Sequence, residues 1–148
     1  MKKNNTPKLD LTISERKELR SNKILISEIQ NITLKEMCSI LKVSEYRAKE
    51  IKALSEFQSL PSIGPKLAKD LLMLGYYSLD ELRDKNGARL FEDLEELYGE
   101  RIDPCVEDQF RLIIHYAIKS NSEKHWWDFT EERKHYRAKH GYPKDRAE

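Results

Sequence analysis

Shifted against itself by 20 residues, this chain repeats one pattern, a short turn followed by an amphipathic helix, and that repeat limits the folds open to it. Ile40-Leu41-Lys42-Val43-Ser44-Glu45-Tyr46-Arg47-Ala48-Lys49-Glu50-Ile51 lies over Leu60-Pro61-Ser62-Ile63-Gly64-Pro65-Lys66-Leu67-Ala68-Lys69-Asp70-Leu71. Val43 meets Ile63, Ser44 meets Gly64, Ala48 meets Ala68, Ile51 meets Leu71 and Leu54 meets Leu74. Two consecutive hairpin-plus-helix units are implied. No segment sustains the period-two alternation of a half-buried strand, so the expected class is all-α.

Punctuation along the chain divides the remaining helices. Thr12 or Ser14 is placed to cap a helix over Glu15 to Lys23, while Thr33 with Glu36 forms a capping-box pattern ahead of Leu34, Met37, Cys38 and Leu41. Ser44 opens the next helix. Pro65 suits the first position of a helix running to Leu74, and Gly75 its end. Ser78 to Glu81 predicts a short helix reaching about Asp84. Asn86-Gly87 precedes a helix over Ala88 to Tyr98, and Asp103 with Pro104 one over Cys105 to Lys119. After Ser120-Asn121-Ser122, Thr130 is expected to cap a last, loosely docked helix that Gly141 stops. The division read from this is a flexible tail over 1–12, a helical domain over 13–119 and an aromatic, basic helical tail over 120–148.

Charge qualifies what such a protein can bind. The net charge is +1, but residues 1–78 carry 14 Lys/Arg against 9 Asp/Glu, and residues 79–118 carry 5 against 11. A strongly basic nucleic-acid binder is excluded as a whole-chain description; a basic half is not. The first residues lack a signal peptide's apolar run and no stretch approaches a membrane span, so a cytoplasmic location without membrane contact is expected. Cys38 and Cys105 form no CxxC pair and are read as free thiols, Cys38 on a core face.

The segment from Phe57 to Leu71 resembles the helix-hairpin-helix family, whose hairpin usually reads apolar-Pro-Gly-Ile-Gly with an alanine four residues after the second glycine. Ile63, Gly64 and Ala68 match; Ser62 stands where the family places its first glycine. The resemblance implies a tandem helix-hairpin-helix (SAM-like) bundle, with a degenerate unit over 33–57 and the main one over 57–74. It also implies that the hairpin 60–69 grips a nucleic-acid backbone, duplex DNA before RNA, without reading sequence and without catalysis. Physically, amides at a helix N-terminus precede the hydrogen-bond ladder and the helix dipole favours an anion there. Carried over by position, the phosphate donors are the amides of Ser62, Gly64, Lys66 and Leu67, with Lys66 and Lys69 adding salt-sensitive charge. The resemblance further allows a monovalent cation on the carbonyls of Gln58, Leu60 and Ile63, and implies no other cofactor. Across most of its length, through the Arg101 to Arg111 stretch and on to Trp126-Trp127, the chain looks like the bacterial proteins of the pathogenicity-locus family.

Other readings stay open beside this one. The hairpins can be helix-packing corners in a protein-interaction scaffold whose acidic Leu79 to Asp108 face meets a basic partner. Asp103, Cys105, Asp108 and His115 can be drawn as a metal or thiol site, although a helix cap and a surface ion pair explain them more simply. Trp126-Trp127 with Phe129, Tyr136, Arg133, Lys134 and Arg137 can stack bases or fold onto the core. Glu92-Asp93-Glu95-Glu96 reads as a solvated helix face.

Overall fold

The computed structural model describes residues 6–148, and among these the chain is helical, with seven α-helices, three short 3-10 turns and no strand. No helix among the described residues is long and apolar enough to cross a membrane. The chain divides into two compact units, one ending at Ser78 and one spanning Leu79–Glu148.

In the first unit the first three α-helices start where a side-chain oxygen takes an amide that the ladder leaves over. α1 (Ile13–Ser21) opens with a reciprocal capping box: Thr12 Oγ1 accepts from the Glu15 amide at 3.0 Å, and Glu15 Oε1 accepts from the Thr12 amide at 2.9 Å. Thr33 and Glu36 repeat the device at α2 (Leu34–Leu41), as their spacing predicts. Ser44 Oγ accepts from the Arg47 amide at 3.1 Å to open α3 (Glu45–Gln58), and α4 (Pro65–Met73) follows the second hairpin. Between α1 and α2 a 3-10 helix over Ile26–Asn31 buries Ile29.

The 20-residue repeat holds in burial. Ala48 and Ala68 are both fully buried, as are Ile51 and Leu71, so the small and the branched residue of each unit face one core. α1 is tied to α3 through Glu15, which is 4% exposed and accepts from Arg47 Nε at 2.9 Å. That guanidinium holds the Glu15 carboxyl below the usual glutamate range.

Residues 8–11, read from the sequence as part of a flexible tail, pack against the rest of the first unit. Leu9 and Leu11 are buried, and the side chain of buried Gln58 brackets Lys8, accepting from its amide at 3.0 Å and donating to its carbonyl at 2.8 Å. A buried amide side chain needs both partners, and the Lys8 backbone supplies them. Residues 1–5 of the expected tail lie outside the described residues.

The second unit holds α5 (Gly87–Tyr98), α6 (Cys105–Ile118) and α7 (Thr130–His140), with 3-10 turns at Asp80–Leu82 and Trp126–Phe129. The capped helix expected from Ser78 to Asp84 is only the first of these turns, and no side chain caps it. Phe91, Leu94, Phe110, Leu112 and Tyr116 form its core. A Cβ at Gly87 would lie 2.6 Å from Arg111 Cγ, so only glycine lets the start of α5 approach α6 this closely.

Charge, more than apolar contact, docks the C-terminal segment. Glu107 and Asp108 are fully buried on α6. Arg137 of α7 donates to Glu107 at 2.9 Å and Glu92 at 2.8 Å, and its guanidinium lies 4.1 Å from the Tyr142 ring centroid. Arg133 donates to Asp108 at 2.8 Å, and Arg146 bridges Glu95 at 2.8 and 3.0 Å. Three expectations change together here. α7 is firmly docked; Thr130 caps nothing, because its hydroxyl donates to Asp108 at 2.9 Å; and Glu92 and Glu95 are not a solvated face but acceptors of these arginines. A buried carboxylate is tolerable only when paired, which overrides the helical-wheel reading of an acidic run.

Replacing Arg137 with Ala strands Glu107 with Arg111 alone and should cost about 3 kcal/mol. A urea melt of Arg137→Ala checks this; a loss below about 1 kcal/mol would show that the pair is not what docks α7.

Candidate nucleic-acid interface

The hairpin between α3 and α4 is built by two buried anchors with an exposed residue between them. Leu60 is 1% exposed and Ile63 0%, and the Ile63 amide donates to the Leu60 carbonyl at 3.4 Å. Ser62, exposed between them, turns the chain through the left-handed region at φ +66°. The family pattern's first glycine is thus explained by the backbone here, and Ser62 bears the cost of a side chain in that conformation. Twenty residues upstream Lys42 sits at φ +57°, so the two turns reverse through one left-handed residue at equivalent points.

Gly64 then opens α4 in an extended conformation, φ −99° and ψ −174°, which any residue can adopt. No side chain caps the helix, and a Cβ built on Gly64 meets nothing within 4 Å. The first bond of the α4 ladder runs from the Ala68 amide to the Gly64 carbonyl at 3.2 Å, so the amides of Gly64, Lys66 and Leu67 precede the ladder. Leu67 is 6% exposed and its side chain anchors the first turn. The Leu60 carbonyl, one of those considered for a cation, accepts from the Ile63 amide within the turn.

The two lysines differ. Lys66 is 81% exposed, with Nζ 3.9 Å from buried Asp70, one turn on. Lys69 is bound to Asp10, whose carboxyl it holds below the usual aspartate range. Sequence reasoning missed Asp10 because the residue is remote from Lys69 in the chain; the structure holds it at a left-handed φ of +52°, a conformation aspartate tolerates well. A further cluster was missed altogether: Tyr46, Tyr77 and Lys49 meet, the rings 6.2 Å apart and Lys49 Nζ 5.1 Å from Tyr77.

The residues drawn as a metal or thiol site have separate employments. Asp103 accepts from the Cys105 amide at 2.8 Å, Asp108 serves Arg133 and Thr130, and His115 meets Ser122 Oγ at 2.7 Å. The hydrogen bond to Asp103, with burial, pushes the Cys105 thiol up, the reverse of what a nucleophilic thiolate needs. Burial pushes His115 down. Among the described residues no three His, Cys, Asp or Glu side chains converge as a metal site.

The chain is therefore an all-helical protein whose most site-like feature is an uncapped hairpin at a helix start. It belongs to the pathogenicity locus family (Cdd1), whose model matches residues 50–135. That match takes in the Gly64 hairpin and leaves the Lys42 turn outside. The chain is also similar to the mitomycin resistance protein McrB of Streptomyces lavendulae, 30% identical over 93 residues, which span 63% of this chain and 86% of that one. No solved structure matches.

Ser62→Gly should raise stability by about 0.5–1 kcal/mol, the relieved left-handed strain outweighing glycine's extra unfolded-state freedom. Equal or lower stability than wild type in a denaturant melt would contradict this reading of the turn.

Proposed function

We propose that the protein is a non-enzymatic, sequence-independent nucleic-acid-binding module of the helix-hairpin-helix type, in which the hairpin 60–69 holds a phosphate of duplex DNA. One observation carries the reading: Gly64 is required neither by its dihedrals nor by any neighbour inside the protein, since its conformation suits any residue and the space before it is open. A glycine the fold does not need is explained by something approaching from outside, and the amides beside it suit an anion. Lys66, the more exposed of the two lysines, supplies the accompanying charge; Lys69 lends less while Asp10 holds it.

The alternative scaffold reading loses support from the second unit. Its acidic face was to meet a basic partner, but Glu92, Glu95, Glu107 and Asp108 already serve arginines of the same chain. An enzyme built on Cys105 is disfavoured by the raised thiol. Similarity to a mitomycin resistance protein supports placing the DNA contact in a cell's response to that compound.

Gly64→Asp separates fold from function. Aspartate is a good helix cap, so α4 should keep its stability, while the new carboxylate occupies the amides and repels phosphate. Fluorescence anisotropy with labelled duplex DNA at low salt should show the variant binding roughly 10- to 100-fold more weakly, the loss of charge-assisted hydrogen bonds. Affinity of the wild type should fall as salt rises. Absence of wild-type binding at low salt, or a variant that binds equally well, would sink the proposal.

A further inference from the structure

The second unit carries an aromatic arrangement that its own packing leaves open. His125 and Trp127 stack with ring centroids 4.4 Å apart and planes 4° from parallel, and Trp126 meets Trp127 edge-on at 5.7 Å. Trp127 is 54% exposed and the His125 side chain 46%, although a large aromatic normally contributes most when covered. The backbone under the stack is fixed: Asp128 Oδ2 accepts from the His125 amide at 2.8 Å, the Tyr116 hydroxyl donates to the carbonyls of Ser122 and Lys124 at 2.9 and 3.1 Å, and buried Phe129 closes the turn against His115. Rigid support beneath an exposed planar stack is the arrangement of a platform. A loose tail would have no such anchoring.

Two lysines beside the platform can meet the phosphates of a polyanion with planar groups. Lys124 precedes His125 in the chain, its Nζ 5.4 Å from the Phe129 ring centroid, and Lys119, the C-cap of α6, lies with it on the His115 side; both are exposed. Two carboxylates also adjoin the stack: Glu123, exposed beside Lys124, and Asp128, which accepts from the His125 amide. Flat aromatic faces flanked by ammonium groups are the elements that bind single-stranded nucleic acid without sequence preference, because every base has a π-face.

We propose that His125 and Trp127 form a stacking platform for an unpaired nucleobase, with Lys124 and Lys119 contacting the adjoining phosphates. This adds to the DNA-binding reading a second site of different preference, single-stranded against the hairpin's duplex, and it depends on residues of Leu79–Glu148 alone. The bases of single-stranded DNA and of RNA offer the same ring faces, so the test includes both.

Trp126 and Trp127 are the chain's two tryptophans, so all intrinsic indole emission reports on this site. Titrating the full chain with a dT15 and an rU15 oligonucleotide and with a blunt duplex, while following that emission, should give quenching with one or both single strands and little with the duplex. Trp127→Ala should weaken single-strand binding roughly tenfold, and Trp127→Phe, which keeps a ring, should recover most of it. Gly64→Asp should leave the quenching intact, so failure of the hairpin reading and failure of this one are told apart. Unquenched emission at saturating oligonucleotide, or single-strand affinity unchanged in a folded Trp127→Ala protein, would overturn the proposal.

Discussion

The hairpin before α4 depends on one backbone constraint: the chain turns from α3 into α4 within a few residues, and one of those residues enters the left-handed region. Ser62 does so at φ +66°, and its neighbours on either side are set by that choice. Leu60 and Ile63 drop into the core on both sides of it, Gly64 emerges extended, and Pro65 starts α4 with no amide to satisfy. The positions of the Gly64, Lys66 and Leu67 amides, and so the candidate phosphate site, are consequences of the turn and not an addition to it. Lys42 makes the equivalent turn upstream, but there Ser44 Oγ caps the following helix and Glu45 adds a carboxylate beside it. Upstream a phosphate meets a side-chain cap and a like charge at the helix start, whereas no side chain caps α4 after the turn at Ser62.

The second unit solves a different problem, buried charge. Glu107 and Asp108 face inward on α6, where desolvation would be prohibitive without partners, and the arginines of the C-terminal segment supply them. Arg137 gains further from the rings of Tyr142 and Tyr136 and from the carbonyl of Gly141. Specificity of docking follows from this, since a helix without arginines at these positions would leave two carboxylates stranded. It also changes how net charge should be read. Much of the acidic excess of residues 79–118 is spent inside the unit, so it neither repels a polyanion nor attracts a basic partner to the degree that a residue count suggests.

Local signals made much of this legible. A cap at Thr12, the capping box at Thr33–Glu36, Pro65 at the first turn of α4 and the glycine stops all act within a few residues, and the helices they mark start and stop near those places. Gly64 and Lys66 could be named as candidates because a motif spaces them. What escaped depends on residues far apart in sequence. Nothing near Lys69 announces Asp10, nothing near Glu107 announces Arg137, and Thr130 looks like a cap until Asp108 claims its hydroxyl. Helical periodicity assigns Glu95 to solvent, and only its pairing with Arg146 makes burial affordable.

The central claim is that the amides at the start of α4 meet phosphate. Recording two-dimensional amide spectra of the isotopically labelled protein while adding a short duplex at low salt tests it residue by residue. The account predicts that the largest shifts fall on Gly64 and Leu67 and their neighbours from Ser62 to Lys69, and that they shrink as salt is added. An unmoved hairpin at saturating duplex, with shifts elsewhere or none, would contradict it.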